Sequence, residues 1–151
     1  MRIEVDDLSS PAVSALLTEH LAEMYATSPP ESVHALDLAA LLDPTITMWT
    51  LWEGADLLGC VALKEHSPLD GEVKSMRTAA AARGRGVATR LLMHLIHEAR
   101  RRGYERVSLE TGSQGFFDPA RRLYLRHGFA VCAPFAAYRL DEHSVYMALA
   151  L

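Results

Sequence analysis

One short stretch of the chain, residues 72–92, limits most strongly what the rest can fold into. Glu72–Thr78 follows a turn signal and is predicted to form a strand, and from Val87 onward apolar residues recur at helical spacing. Arg83-Gly84-Arg85-Gly86 lies between the two elements. Glycine lets a backbone approach an anion closely, and the first N–H groups of a helix have no partner inside the helix. The stretch therefore predicts a strand, loop and helix that bind an anion, with the arginines adding positive charge.

Two familiar phosphate-binding motifs do not fit this loop. A P-loop has lysine and then serine or threonine after its last glycine, whereas Gly86 is followed by Val87 and Ala88. The dinucleotide fingerprint needs a third small residue where Thr89 stands, and no continuing series of βαβ units follows. A nucleotide hydrolase is thus disfavoured, while a plain arginine-rich turn stays possible on the loop alone.

Length and composition narrow the class of protein. A chain of 151 residues with 50% hydrophobic and 23% charged residues is expected to form one globular domain, residues 1–151. The net charge of −4 does not favour nucleic acid as a partner. Cys60 and Cys132 lie in apolar, strand-like runs, which argues against a disulfide framework. With no apolar signal region or bilayer-length apolar run, we expect a cytoplasmic protein without a membrane partner.

The chain before residue 72 is predicted to contain three strands and two helices. Its predicted elements are a strand Arg2–Val5, a helix from Pro11 that the prolines after Ser28 break, a short helix His34–Leu42, and strands Thr45–Trp52 and Leu57–Leu63. The last two of these strands and Glu72–Thr78 are expected to be three successive antiparallel strands.

The chain after the loop is predicted to contain two helices and three strands. The predicted elements are a helix from Val87 that Gly103 ends, a strand Arg106–Thr111, a helix capped by Asp118, and strands Phe129–Cys132 and Ser144–Leu149. Strand, loop, helix and strand predict a right-handed crossover in which Glu72–Thr78 and Arg106–Thr111 are parallel.

Two motifs resemble the GNAT superfamily of N-acetyltransferases. The loop resembles the family's acetyl-CoA loop at Arg83, Gly86 and Ala88. The segment 118–129 resembles the second family signature, with Asp118 in place of the usual asparagine and with matches at Ala120, Leu123, Tyr124, Gly128 and Phe129. The motifs occur in the family's order and at its separation. More narrowly, segments 72–78, 109–113 and 134–147 resemble a bacterial branch of small acetyltransferases.

The resemblance implies a fold and a co-substrate. The fold would be mixed α/β, with a central sheet of six or seven strands, splayed central parallel strands and about four helices on both faces. Acetyl-CoA would lie in the gap, its pantetheine arm along the backbone of Met76, Arg77 and Thr78. Its pyrophosphate would be held by Arg83, Gly84, Arg85, Gly86, Val87, Ala88 and Thr89. No histidine and cysteine spacing resembles a metal site, so no metal is expected.

The resemblance also implies direct transfer of an acetyl group to a primary amine of a small molecule, without an acyl-enzyme. Tyr124 matches the residue that protonates the leaving thiolate. A base must take a proton from the amine, and Glu110 and Glu72 are the candidates, with His20, His34 and His66 as further possibilities. Glu110 is favoured because it interrupts a strand that should be buried, where a carboxylate has a raised pKa.

Two questions stay open on the sequence. The same fold could hold acetyl-CoA as a sensor or interaction module without turnover. A homodimer is expected on two grounds: family members often pair, and the C-terminal run Val145–Leu151 is apolar.

Overall fold

A computed structural model of Met1–Leu151 shows a mixed sheet of seven strands. Four α-helices accompany the sheet and cover both of its faces. The strands are β1 (Arg2–Val5), β2 (Ile46–Glu53), β3 (Asp56–Ser67), β4 (Asp70–Thr78), β5 (Arg106–Gly112), β6 (Ala130–Cys132) and β7 (Ser144–Ala150). The helices are α1 (Pro11–Thr27), α2 (Leu38–Leu41), α3 (Val87–Arg101) and α4 (Asp118–Arg126). The strand order is β1-β2-β3-β4-β5-β7-β6. The predicted fold class is confirmed.

Apolar side chains explain why each helix packs where it does. The amphipathic α3 buries one stripe, exemplified by Leu91, Leu92 and Leu95, against one face of the sheet, where Tyr124 of α4 joins the same core. On the opposite face, Val13, Leu16 and Leu17 of α1 pack in a second, smaller core. The sheet is therefore covered by helices on both faces.

The two central strands part after only three residue pairs. β4 and β5 are parallel and pair at Asp70 with Arg106, Gly71 with Val107, and Glu72 with Ser108. Beyond that point β4 continues to Thr78 and β5 to Gly112 without pairing to each other. We call this point the fork. The splayed parallel strands predicted above are thus present, and the fork opens a gap inside an otherwise continuous sheet.

A bulge in β4 changes which side chains face the two layers of helices. Between the pairs Ala62 with Lys74 and Cys60 with Arg77, β4 has one residue more than β3, and Ser75 takes a positive φ of 51°. The extra residue shifts the alternation, so Met76 packs against the α3 core while the Arg77 side chain reaches α1. No glycine marked this bulge in the sequence.

Two local predictions were wrong in detail. The helix predicted over His34–Leu42 is reduced to the single turn α2, which Asp37 caps by accepting a hydrogen bond from the Ala40 N–H at 2.8 Å. Asp118 does not cap α4: a 3-10 turn over Gly115–Phe117 leads directly into the helix, so Asp118 is already helical. Its carboxylate pairs with Arg121 instead.

The C-terminal strand lies inside the sheet. β7 pairs with β5 on one side and with β6 on the other, and its Tyr146 and Met147 are buried. Packing within the chain accounts for the apolar character of this run, so the homodimer stays a prediction without that support. None of the helices combines the length and apolar character needed to cross a membrane.

Candidate active site

A cavity of about 660 Å³ fills the gap beyond the fork and extends over the N-terminus of α3. Its walls come from α1, β4, β5, α4 and the loop between β4 and α3. Every residue predicted to bind the co-substrate lines this cavity except Arg85. Of the three predicted catalytic residues, Tyr124 and Glu110 line it and Glu72 does not. The fork thus brings together most of the predicted site residues, although the two motifs that contain them lie far apart in sequence.

The loop before α3 has the backbone that its glycines predict. Gly84 and Gly86 both adopt a φ of 77°, and a Cβ on either would meet no atom within 4 Å. Conformation rather than space therefore favours glycine here. Gly86 directly precedes α3, so the unpaired first N–H groups of the helix face the cavity with Val87, Ala88 and Thr89.

The two arginines of the loop have different surroundings. Arg83 is exposed and lines the cavity. Arg85 turns away and donates to both carboxylate oxygens of Glu53, each at 2.9 Å. Of the two loop arginines, only Arg83 therefore adds an uncompensated charge to the cavity.

Three buried polar atoms on the α1 and β4 wall lack a partner. They are His20 Nδ1, Ser75 Oγ and Arg77 Nε, and all three residues line the cavity. Buried polar groups in proteins are nearly always hydrogen-bonded, so this wall is suited to a polar ligand or to ordered water. Burial lowers the pKa of His20 to about 4, which keeps the imidazole neutral at physiological pH.

Tyr124 sits on the α4 wall with its ring in the core. Its ring meets Phe129 edge-on at 5.6 Å between centroids, and its hydroxyl forms no hydrogen bond within the protein. Burial raises the pKa of Tyr124 well above its ordinary value, so the phenol keeps its proton at neutral pH. The residue therefore presents an uncommitted proton donor to the cavity.

Glu110 lies on β5, two residues beyond the last pair of the fork. Burial raises the pKa of Glu110 to about 7, while the charge of Lys74 acts in the opposite direction. Near neutral pH this carboxyl is divided between its two protonation states. It can therefore accept a proton, as the sequence argument expected of a carboxylate on a buried strand.

Glu72 is fixed by a network that sequence reasoning missed. Its side chain is 2% exposed and meets His66 Nε2 at 2.7 Å, the Tyr138 hydroxyl at 2.5 Å and Lys74 Nζ at 3.2 Å. With both oxygens engaged, it is a buried anion with compensating partners rather than a free carboxylate. The one sequence signal was that Glu72 and Lys74 alternate on one side of a strand that should be buried.

The Glu72 network borders a second cavity of about 690 Å³. Ser32, His34 and Lys74 line both cavities. Lys74 Nζ donates to the His34 carbonyl at 3.1 Å, and Ser32 Oγ donates to Asp141 at 2.6 Å. These three side chains therefore form the boundary between the two cavities.

Asp118 has no place in either cavity. Phe117 is buried against Gly112, where a Cβ would overlap the phenyl ring. The position supports the end of β5 instead of presenting a polar group.

The family model and several similar known proteins agree on one family of enzymes. A model of the acetyltransferase (GNAT) family matches residues 13–129. The chain is 54% identical over 147 residues to the uncharacterized N-acetyltransferase YsnE of Bacillus subtilis strain 168, covering 97% of both chains. It is 51% identical over 149 residues to the uncharacterized N-acetyltransferase YedL of Escherichia coli K12, covering 99% of this chain and 94% of that one. An IAA acetyltransferase of Azospirillum brasilense is 35% identical over 133 residues, 87% of this chain and 83% of that one.

Solved structures share the fold. A Klebsiella pneumoniae protein described as an acyl-CoA N-acyltransferase superposes with a TM-score of 0.83 at 26% identity, over 99% of this chain and 97% of that chain. The PaiA N-acetyltransferase of Thermoplasma acidophilum, solved with coenzyme A, has a TM-score of 0.75 at 17% identity over all of both chains. A GNAT acetyltransferase of Elizabethkingia anophelis, solved with acetyl-CoA, has a TM-score of 0.70 at 16% identity over 99% and 97%.

Proposed function

Because this chain belongs to the GNAT family of acetyltransferases, we propose that it transfers the acetyl group of acetyl-CoA directly to a primary amine of a small molecule. One observation carries the proposal. The fork opens a single cavity in which a proton donor, Tyr124, and a group able to accept a proton, Glu110, share a space with an anion-binding loop.

The residues around the cavity fit acetyl-CoA. On the side facing β5, the backbone of β4 beyond Glu72 has no strand partner, so Met76, Arg77 and Thr78 have edge groups for the pantetheine amides. The positive-φ glycines, the α3 N-terminus and Arg83 suit a pyrophosphate. Acetyl-CoA supplies an acyl group already activated as a thioester, so the protein needs no nucleophile of its own.

Proton movements at two residues accompany the transfer. The bond between the amine nitrogen and the acyl carbon forms as the carbon–sulfur bond breaks. Glu110 takes one proton from the ammonium before attack, directly or through one water, and later passes it to solvent. Tyr124 gives its phenolic proton to the departing sulfur and takes back the proton that the nitrogen loses as the amide forms. A backbone N–H of Met76 or Arg77 on the open edge of β4 stabilises the charge that develops on the carbonyl oxygen.

The acceptor approaches from the second cavity. Its ammonium reaches Glu110 past Lys74, one of the three residues that line both cavities. Glu72 then acts as a fixed charge and Glu110 as the base, which separates the roles of the two predicted carboxylates. The cytoplasm is the proposed location, because the free thiols Cys60 and Cys132 persist in a reducing compartment.

The experiment measures thiol release from acetyl-CoA across a panel of primary amines, with the acetylated product identified by mass spectrometry. We expect at least one amine to accelerate release above hydrolysis and Glu110→Gln to abolish that acceleration. Dialysis against a chelator should leave the rate unchanged. The sensor alternative is favoured instead if acetyl-CoA binds tightly but no amine of the panel accelerates release.

A further inference from the structure

Two arginines of α4 line the first cavity without an apparent role. Arg122 and Arg126 are exposed and form no ion pair or side-chain hydrogen bond, whereas their neighbour Arg121 is held by Asp118 and by the Gly112 carbonyl. The single carboxylate that lines this cavity is Glu110, on the strand beyond the fork. The α4 wall is therefore positive, although the chain as a whole has a net charge of −4.

Helix geometry separates these arginines from Tyr124. Residues four apart lie almost above one another, so Arg122 and Arg126 share one side of α4. Tyr124 is two residues from each, which turns it about 200° around the helix axis from Arg122. Tyr124 is buried and the arginines are exposed, so the phenol stands at the cavity floor and the two guanidinium groups at its rim.

Acetyl-CoA carries two anionic groups, a pyrophosphate and a 3′-phosphomonoester on the ribose. The β4–α3 loop with Arg83 already provides a site for the pyrophosphate. We propose that Arg122 and Arg126 bind the 3′-phosphate and so make the enzyme selective for CoA thioesters over their 3′-dephospho forms. This inference rests on the proposed function, since it concerns the same co-substrate. Guanidinium groups at a solvent rim suit a phosphomonoester, which they can bind while it stays partly hydrated.

A simpler role for Arg126 needs to be separated from this one. Arg126 is in the last turn of α4, where a positive charge stabilises the helix through its dipole. That role would change the stability of the protein but would not depend on whether a ligand carries a 3′-phosphate. Selectivity between two ligands that differ in this one group is therefore the informative measurement.

The test is a set of dissociation constants, measured by calorimetry, for acetyl-CoA and acetyl-3′-dephospho-CoA. The proteins are wild type, Arg122→Gln, Arg126→Gln and, as a control with the same charge change, Arg100→Gln. Arg100 is exposed in the last turn of α3 and lines neither cavity. We expect wild type to prefer acetyl-CoA by about tenfold at low salt and each α4 variant to lose several-fold of that preference.

The affinity for the dephospho ligand should hardly change in the α4 variants, and Arg100→Gln should behave as wild type. The preference should also shrink as salt rises, because rim charges are screened. Equal wild-type affinity for both ligands would overturn the proposal, as would the same loss in Arg100→Gln. Those results leave acetyl transfer intact, whereas failure to bind either ligand would overturn the proposed function as well.

Discussion

Among single residues, Tyr124 offers the sharpest separation of chemistry from packing. Tyr124→Phe keeps the ring that meets Phe129 and removes a hydroxyl without a partner in the protein, so stability should change by well under about 1 kcal/mol. Turnover should fall roughly 100-fold, the usual worth of a positioned acid. Acetyl-CoA affinity should stay near wild type, because the proton matters only as the thiolate departs. Steady-state kinetics, calorimetry and thermal melts measure the three quantities.

The opposite pattern would remove the catalytic assignment. If folded Tyr124→Phe turns over like wild type, the hydroxyl is not the proton donor, and CoA leaves as a thiolate without help from this residue. The proposal for the cavity would then rest on Glu110 and the loop.

The charge of Lys74 should shift the pH at which Glu110 can accept a proton. Burial raises the pKa of Glu110 to about 7 and Lys74 lowers it, while Glu72 and Asp141 raise it further. As pH falls below about 7 the wild-type carboxyl gains a proton and cannot accept another, so kcat/KM should decline. Lys74→Met removes the opposing charge, so the pKa of Glu110 should rise and the decline should begin at a higher pH.

The pH profile of kcat/KM checks this, with Lys64→Met as the control. Lys64 lines the second cavity and makes no side-chain hydrogen bond, so its loss should leave the profile nearly in place. A profile that does not move in Lys74→Met would mean that another group limits the reaction at low pH.

Sequence predicted the residues whose chemistry is visible locally and missed those that depend on distant partners. Glu110 stands out as a carboxylate in an apolar strand, and Tyr124 within a helical motif. Tyr138, in contrast, lies 66 residues from the Glu72 that accepts its hydrogen bond. No local pattern specifies that meeting, because the path of the loop between β6 and β7 decides it.

At the scale of elements, the start of α3 depends on the backbone of Gly86. Gly86→Ala should cost about 1–2 kcal/mol in stability, because φ is 77° and an L-residue is strained there. The changed loop should also weaken acetyl-CoA binding by about tenfold, the worth of one charge-assisted hydrogen bond. Chemical denaturation and calorimetry give the two numbers.

Gly54 supplies a matched control for that substitution. It too has a positive φ, 59°, with open space around a Cβ, but it lies in the turn between β2 and β3. Gly54→Ala should lose similar stability and keep its affinity for acetyl-CoA. Equal affinities in the two variants would show that the loop backbone does not contact the ligand.

Removing Glu19 and Glu23 from α1 should destabilise the protein more than removing their partner Arg77 from β4. The Arg77 side chain is 7% exposed, whereas its partners Glu19 and Glu23 are 50% and 33% exposed. Removing both carboxylates as Glu19→Ala/Glu23→Ala leaves a buried guanidinium uncompensated and should cost about 3 kcal/mol. Arg77→Met leaves carboxylates that water can reach, so it should cost less. Urea denaturation compares the two, and a costlier Arg77→Met would contradict this account.

The elements themselves were mostly predictable, since apolar periodicity and glycine or proline punctuation mark α3, β2 and β3. The bulge at Ser75 was not, because a serine with φ of 51° has no signature in sequence. Its effect is large nonetheless. Without the extra residue, strict alternation would place Arg77 on the α3 face, away from Glu19 and Glu23.

For the whole molecule, the buried His20 and Glu110 should make opposite contributions to the pH dependence of stability. Burial lowers the pKa of His20 to about 4 and raises the pKa of Glu110 to about 7. For His20 the unfolded chain binds more protons between about pH 4 and 6.5, so stability is lost as pH falls through that range. For Glu110 the folded chain binds more protons between about pH 4.5 and 7, so stability is lost as pH rises.

Single variants should reveal the two slopes with opposite signs. Relative to wild type, the unfolding free energy of Glu110→Gln should gain a component that rises with pH between about 4.5 and 6.5, since the opposing contribution of Glu110 is removed. His20→Gln should gain one that falls over the same range. Each is limited to about 1.4 kcal/mol per pH unit, the worth of one proton. Urea unfolding at several pH values measures both, and slopes of the same sign would rule out this pairing.

The fork also gives the molecule the mechanics of a clamp. One jaw is the antiparallel set β1–β4, the other is β5, β7 and β6, and the three residue pairs up to Glu72 and Ser108 form the hinge. Glu72 stands at that hinge and holds His66 and Lys74 from the first jaw together with Tyr138 from the second. Any widening of the angle between the jaws must pull on these bonds. The buried charges around Glu72 therefore also restrain how far the gap between β4 and β5 can open.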